Sequence, residues 1–177
     1  MSKLANFKEI VTKAVVGKAK KSSVDSFTVE TNEVPNTVLG CWVINHTFSG
    51  MNNNGMVLLN GEYDINVWYS YDNDTKTAVS TKRYAYSDKL NVNLRDHVGL
   101  TNSNEIIVRS LKQPTVSDVN IENNVVKVNV EKELGVEVIG DAKLKVSIED
   151  LEDDYDVIED EEITDEVIEE IDENYLN

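Results

Sequence analysis

The sequence predicts an all-β protein, an antiparallel β-sandwich or partly closed barrel, followed by a disordered or partly helical acidic C-terminal tail. Val, Ile, Thr and Tyr recur with a period of two, and clusters of Gly, Asn and Asp interrupt these runs at short intervals. Of the 33 Asp and Glu residues, 15 fall in the last 28 positions, where Lys and Arg are absent. We therefore expect a β-rich body over residues 1–149 and an acidic tail over residues 150–177.

The first segment of the body carries two patterns. Leu4, Phe7, Val11 and Ala14 are spaced as on a helix, but the residues over 8–20 are rich in β-branched side chains. We expect a short helical lead-in followed by a strand. Further strands are predicted at Phe27–Glu30, Val38–Thr47, Met56–Leu59, Glu62–Tyr71, Thr75–Tyr86, Lys89–Leu94, Glu105–Lys112, Thr115–Ile121, Val125–Val138 and Lys143–Glu149.

One predicted hairpin turns at residues 72–74, and its three-residue loop fixes which side chains lie opposite each other. In this register Asp64 pairs with Lys82. The alternating apolar residues of the segment 63–71 then face the core, and Trp68 is left on a polar, outward face. Trp68 is then either covered by another strand or by the N-terminal segment, or it is a docking residue, since exposed aromatic residues are enriched where proteins bind each other.

A second hairpin is predicted at residues 140–142. A three-residue loop there pairs Val138 with Leu144 and Glu137 with Lys145, which gives one apolar and one charged face. A two-residue loop would pair apolar residues with lysines and mix the two faces.

The tail contains an irregular acidic run and then a helical pattern over about residues 164–176. Thr164 is a suitable N-cap, and the acids that follow it suit the positive end of the helix dipole. Because the tail carries about −15, self-repulsion should leave this helix nascent until a partner binds. The residues that we expect to bind partners are Trp68, Asp64 and Lys82 in the body and Asp153, Asp154, Tyr155, Asp156, Val167, Ile168, Ile171 and Tyr175 in the tail.

Few residues in the chain suit catalysis or metal binding. The single cysteine, Cys41, precludes an intrachain disulfide, and His46 and His97 are too few and too far apart to suggest a zinc site. No phosphate-binding loop or nucleophile motif occurs. We expect no catalytic residue, no cofactor and no metal. Asp72 and Asp74 are interpreted as turn residues, because the sequence lacks the Gly and Glu of an EF-hand loop.

The overall charge and hydropathy narrow the class of partner. A net charge of −16 disfavours nucleic acid, whose phosphates would be repelled. The sequence contains no run of about 18 apolar residues, so no transmembrane segment is predicted. With a single cysteine we expect a reduced, intracellular product. The N-terminus lacks the apolar region and cleavage site of a signal peptide.

Three stretches of the body, Glu9–Lys18, Leu39–His46 and Leu59–Tyr71, followed by Asn73–Thr77, carry a family resemblance. In order and spacing they resemble the outer spore coat morphogenetic protein CotE family of endospore-forming bacteria. The most specific run reads Gly-x-Tyr-Asp-x-Asn-Val-Trp-Tyr-Ser-Tyr and begins at residue 61. The chain departs from the family at Cys41, where a second Gly of a Gly-Gly-Trp pattern is expected.

The resemblance implies a non-enzymatic scaffold of the spore coat. It implies a protein made in the mother-cell cytoplasm that is recruited to the forespore by a SpoIVA-like basement protein. Such a protein self-associates into a homo-oligomer in the outer coat and recruits outer coat or exosporium proteins, partly through its acidic tail. Contacts between the β-rich bodies of neighbouring copies would then use strand edges or the Trp68 face.

A carbohydrate-binding β module of the spore envelope is the alternative interpretation. Trp42, Trp68, Tyr69 and Tyr71 would form the sugar platform in such a module. Strand alternation argues against it, since Tyr69 and Tyr71 are predicted to face away from Trp68.

Overall fold

The computed structural model describes residues 6–95 and 99–148, and most of these residues lie in six β-strands. The strands are β1 (Asn6–Val29), β2 (Thr37–Asn53), β3 (Met56–Tyr71), β4 (Lys76–Leu90), β5 (Glu105–Glu122) and β6 (Val125–Ile148). They form two three-stranded antiparallel sheets, in the orders β1-β6-β5 and β2-β3-β4. The predicted all-β class is confirmed. Within the described ranges the sheets do not close into a barrel, and the predicted tail lies outside those ranges.

The core lies between the two sheets and is supplied mainly by their central strands. Apolar residues alternate along β3 and β6, so that every second side chain points inwards. Burying each of these side chains is worth about 1.5–3 kcal/mol. The buried apolar residues are Val57, Leu59, Tyr63, Ile65, Val67 and Tyr69 in β3 and Val126, Val128, Val130, Leu134, Val136 and Val138 in β6.

Tight turns built from Asn, Asp and Gly join β2 to β3, β3 to β4 and β5 to β6. Asn54 and Gly55 connect β2 to β3 with φ angles of 51° and 86°, and Asn123 and Asn124 connect β5 to β6 with 52° and 65°. Two successive left-handed residues give a turn whose twist matches that of the flanking strands. These short connections keep the paired strands in a fixed register.

The β3–β4 turn is longer than predicted, so the predicted register is wrong by one residue. Tyr71 pairs with Lys76 and not with Thr75. Thr75 belongs to the loop, where its amide and hydroxyl donate to the carbonyl oxygen of Asp72 at 3.2 and 2.6 Å. Residues 72–74 all have positive φ, between 54° and 62°, and this run of left-handed residues makes room for the extra loop residue.

The predicted second hairpin is wrong, because β6 continues through Gly140 without a turn. A Cβ at this buried glycine would lie 2.7 Å from Nδ2 of Asn104 and 3.3 Å from a methyl of Val16. Gly140 therefore allows neighbouring chain segments to approach closely and does not provide a bend.

The predicted helical lead-in is also wrong from residue 6 onward, where β1 begins. The β-branched side chains of this segment, which favour strands, outweigh the helical spacing. Several separately predicted strands likewise merge, so that β3, β4 and β5 are each continuous.

The described residues belong to two compact units. Residues 9–144 form the larger unit and contain the core. The described residues 6–8 and 145–148 belong to the smaller unit, in which Nζ of Lys145 lies 4.9 Å from the centre of the Phe7 ring.

Candidate functional site

The outer face of the β2-β3-β4 sheet, the side turned away from the core, presents the even-numbered residues of β3. Trp68 lies on this face, as the alternation of apolar residues predicts, and it is 43 % exposed, so no described segment covers it fully. Its neighbours along the strand, Asp64, Asn66 and Ser70, are nearly covered. Trp68 therefore projects above a floor of polar side chains.

Trp42 of β2 shares this face with Trp68. Gly40 pairs with Trp68, and Trp42 pairs with Asn66, so the two indoles occupy diagonal positions on adjacent strands. A Cβ on Gly40 would lie 3.3 Å from the ring of Trp42 and 3.7 Å from that of Trp68. Both indoles thus lie against the side-chain-free position at Gly40, and Trp42 is also 43 % exposed.

Two aliphatic residues extend the apolar surface around the indoles. Val79 of β4 pairs with Trp68 and is exposed, and Ile44 of β2 pairs with Asp64 and is also exposed. We call Trp42, Ile44, Trp68 and Val79 the aromatic patch. Apolar surface collected on one sheet face and bordered by polar groups is typical of an interaction site.

A firmly held carboxylate borders the aromatic patch. Arg83 donates to Asp64 through Nε at 2.8 Å and Nη2 at 3.1 Å. Asn45 donates to the same carboxylate at 2.9 Å. A β-bulge after Ile44, with Asn45 at a φ of 56°, brings this amide to the outer face.

These hydrogen bonds fix both the position and the charge of Asp64. The donors on Arg83 and Asn45, helped by the positive charge of Arg83, lower the pKa of Asp64 to about 2. Arg83 also lies 3.4 Å from Glu62. The border of the patch thus carries a fixed negative group beside a positive one.

The predicted pairing of Asp64 with Lys82 is wrong. The one-residue register shift places Arg83 opposite Asp64 and Lys82 opposite Ile65, on the other side of the sheet. Nζ of Lys82 donates to the carbonyl oxygen of Thr28 at 2.7 Å and lies 5.9 Å from the centre of the Phe27 ring. Arg83 is the basic residue that the sequence analysis missed at this site.

Comparison with known proteins gives a family for the chain. The family model described as Outer spore coat protein E (CotE) matches residues 6–177, nearly the whole sequence. The chain belongs to the CotE family. Neither the comparison with curated proteins nor that with solved structures gave a match.

Membership of the CotE family confirms the resemblance drawn from the sequence and makes the chain an outer spore coat protein. CotE is a family of structural coat proteins. No helix among the described residues is long and apolar enough to cross a membrane, and the described part of the chain holds no cluster of metal-binding side chains.

The remaining predicted partner-binding residues of this CotE-family chain lie outside the described ranges. They are Asp153, Asp154, Tyr155, Asp156, Val167, Ile168, Ile171 and Tyr175. His97 is outside as well. Cys41 is half-buried on the inner face of β2 opposite Val67, and burial raises the pKa of its thiol to about 11.

A second constellation, which the sequence analysis missed, lies inside the sandwich. Lys132 of β6 is 2 % exposed, and its Nζ lies 2.5 Å from Oδ2 of Asp25 in β1. The hydroxyl of Tyr63 donates to the same oxygen at 2.7 Å. Nζ of Lys132 also lies 4.0 Å from the centre of the Tyr86 ring.

His46 lies at the border of this interior constellation. Its Nε2 is 2.7 Å from the hydroxyl of Tyr86, while its buried Nδ1 has no hydrogen-bond partner within the described residues. Burial lowers the pKa of His46, which favours the neutral ring.

The sequence itself marks Lys132 as an unusual residue for its position. It occupies the inward-facing row of β6, in which the residues two positions before and after it are Val130 and Leu134. A lysine in an apolar row of this kind predicts either a buried partner of opposite charge or a chemical role for its amine.

Proposed function

We propose that the chain is a self-assembling structural scaffold of the outer spore coat, and that its bodies associate through the aromatic patch. The observation that carries this proposal is the exposure of Trp42 and Trp68 on one sheet face around Gly40. Trp is among the residues that most often dominate protein interfaces. Membership of an outer coat family supports a structural role.

A second copy of the chain is the occupant that fits the patch best. Asp64 and Arg83, which carry opposite charges, border the patch. In a two-fold related copy these two groups run in the opposite direction, so the acidic group of one copy can face the basic group of the other. The residues outside the tail hold 18 acids and 17 bases, so two bodies meet with almost no net repulsion.

The acidic tail is proposed to act separately, by capturing basic coat proteins. Its dense negative charge provides long-range attraction that is weakened by salt. Asp153, Asp154, Tyr155 and Asp156 would supply the acidic contact. Val167, Ile168, Ile171 and Tyr175 would supply an apolar helix face on binding.

We also propose where the scaffold assembles and which proteins it joins. It is made in the mother-cell cytoplasm, joins a SpoIVA-like basement protein around the forespore, and then holds outer coat or exosporium proteins in the outer coat.

Size exclusion with light scattering on the full chain tests self-assembly through the patch. Replacing both Trp42 and Trp68 by Ala should convert oligomers to monomers over a range of protein concentrations. Leu111→Ala is the matched control, because Leu111 is an exposed apolar residue on the other sheet. Equal oligomer size in the double variant and the wild type would refute the role of the patch.

A truncation ending at Glu149 tests the separate role of the tail. It should keep the oligomeric state of the full chain and lose salt-sensitive binding to basic coat proteins. Circular dichroism establishes that the truncated chain keeps its β structure. If the truncation is monomeric while still folded, assembly depends on the tail instead.

Carbohydrate binding is the second candidate, and one observation favours it. Trp42 and Trp68 lie beside Asn66, whose Oδ1 accepts a hydrogen bond of 2.6 Å from Thr81. Aromatic and amide groups on one flat face can hold a sugar ring. Tyr69, in contrast, is buried in the core and cannot join this platform.

Titration of the full chain with soluble spore peptidoglycan fragments separates the two functions. Saturable binding that the double Trp variant loses, with an unchanged oligomeric state, would favour the carbohydrate module. Absence of binding together with patch-dependent oligomers would favour the scaffold.

A further inference from the structure

Lys132 occupies a position where a charged side chain is costly. Its side chain is 1 % exposed, within a strand whose other inward residues are mostly Val. Ion pairs in such surroundings often stabilise a fold less than apolar residues of the same volume would. The sandwich therefore gains little from this pair as a simple ion pair.

The partner of Lys132 lies on the adjacent strand of the same sheet. β1 and β6 are neighbours, and Asp25 reaches Lys132 with its Oδ2 at 2.5 Å from Nζ. The side chain of Asp25 is only 11 % exposed. An amine nitrogen and a carboxyl group are thus held in contact by two backbones that the core fixes in place, which is the arrangement that favours reaction between them.

Aromatic side chains surround this contact and leave little room for water. Tyr86 lies under Nζ with its ring centre at 4.0 Å, and Tyr63 donates its hydroxyl to Asp25. Phe27 and Tyr84 stack at 4.5 Å between ring centres, and Tyr84 is 5.5 Å from Tyr63. A dry, apolar setting keeps competing water away from the two reacting groups.

We infer that Lys132 and Asp25 are the site of a self-formed amide crosslink between β6 and β1. A proton first passes from the ammonium group to the carboxylate, which yields an amine and a carboxylic acid. The lone pair of Nζ attacks Cγ and forms the new N–C bond. The tetrahedral intermediate then loses one carboxyl oxygen, which leaves as water with two hydrogens, and an amide remains. No oxidant, cofactor or second protein is consumed.

Tyr63 is the catalytic residue of this step. Its hydroxyl donates to Oδ2, the carboxyl oxygen that takes the proton from Nζ and later leaves as water, so this hydrogen bond stabilises the charge that builds on Oδ2 as the C–O bond breaks. Burial and the neighbouring Asp25 raise the pKa of Tyr63, so the phenol keeps its proton and remains a donor.

The crosslink would close the chain between residues 25 and 132, a loop that contains most of the core. A covalent link across a loop of this size restricts the unfolded chain strongly and would make the body resistant to heat and denaturant. This inference is independent of the aromatic patch, because it concerns the interior of a single chain.

Mass spectrometry of the intact, full-length protein tests the inference. After incubation of the folded protein, the denatured chain should have lost one water relative to the mass of its sequence. Protease digestion should yield a branched peptide that joins the segments containing Asp25 and Lys132. Lys132→Met and Asp25→Ala should each keep the full mass, and Tyr63→Phe should lose water at least tenfold more slowly.

Lys21 and Asp88 provide the matched control. They form an ion pair at 3.1 Å, but the side chain of Lys21 is 35 % exposed, so Lys21→Met should leave the water loss unchanged. A wild-type protein that is folded by circular dichroism and keeps the full mass after prolonged incubation would overturn the inference. A branched peptide through any other lysine would overturn it as well.

Discussion

Arg83 binds Asp64 with two guanidinium nitrogens, Nε at 2.8 Å and Nη2 at 3.1 Å, across the β3–β4 ladder. A planar fork of this kind fits a carboxylate in one orientation only. Because Asn45 donates to the same carboxylate, Asp64 is restrained by two neighbouring strands. The polar border of the aromatic patch is therefore a rigid part of the sheet.

Acidification should remove the stabilisation that Asp64 provides. Its pKa is about 2 in the folded protein, below the value of about 3.9 for an unfolded chain. A lowered pKa stabilises the fold at every pH above about 4, and this contribution is lost as the pH falls from about 4 to about 2. The difference in melting temperature between the wild type and Asp64→Asn should shrink over this range. In an Arg83→Gln background the same comparison should show a much weaker pH dependence.

Gly61→Ala should destabilise the body by about 1–3 kcal/mol, because it overfills a packed site. A Cβ at Gly61 would overlap the hydroxyl of Tyr86 and lie 2.8 Å from the carbonyl oxygen of Thr47. Equilibrium unfolding in urea measures the loss. Gly99→Ala is the control, since a Cβ there meets nothing within 4 Å. Equal effects of the two substitutions would contradict the packing argument.

Asn124→Gly should stabilise the protein by about 0.5–1 kcal/mol. Asn124 has a φ of 65°, in the left-handed region where glycine carries no steric penalty. Asn-Gly is also the preferred pair for this two-residue turn. Gly55→Ala instead places a Cβ at a φ of 86° and should lower the free energy of unfolding by about 1 kcal/mol. Thermal unfolding of both variants, read against the wild type, checks the opposite signs.

Cys41 should react slowly with alkylating reagents in the folded protein. The thiolate is the reactive species, and a pKa of about 11 leaves only about one thousandth of the thiol ionised at pH 8. Iodoacetamide labelling followed by mass spectrometry should be on the order of a hundredfold slower for the native chain than for the urea-unfolded chain. Equal rates would place Cys41 in open solvent.

The strand faces of β3 were predictable from the sequence, but the pairing with β4 was not. Tyr63, Ile65 and Val67 repeat every second position, which is sufficient to place Trp68 on the outer face. Register depends on the loop, and composition does not reveal that residues 72–74 all adopt left-handed conformations. The identity of the residue opposite Asp64 was therefore missed.

Gly140 and Lys132 show why the rest of the interior escaped prediction. A glycine beside Asp141 resembles a turn, yet its role is to allow close contact with Asn104 and Val16, which are distant in sequence. Lys132 was visible as an exception to the apolar row, but its partner Asp25 is 107 positions away. Contacts of this kind depend on topology, which local patterns do not encode.

The position of the two tryptophans determines how the protein can be followed by spectroscopy. The chain contains only Trp42 and Trp68, and both lie half-exposed beside Gly40 on the outer face. Intrinsic tryptophan emission is thus a built-in reporter of that face alone. In the monomer its maximum should already lie toward long wavelengths and change little on unfolding. A shift to shorter wavelengths should accompany anything that covers the patch.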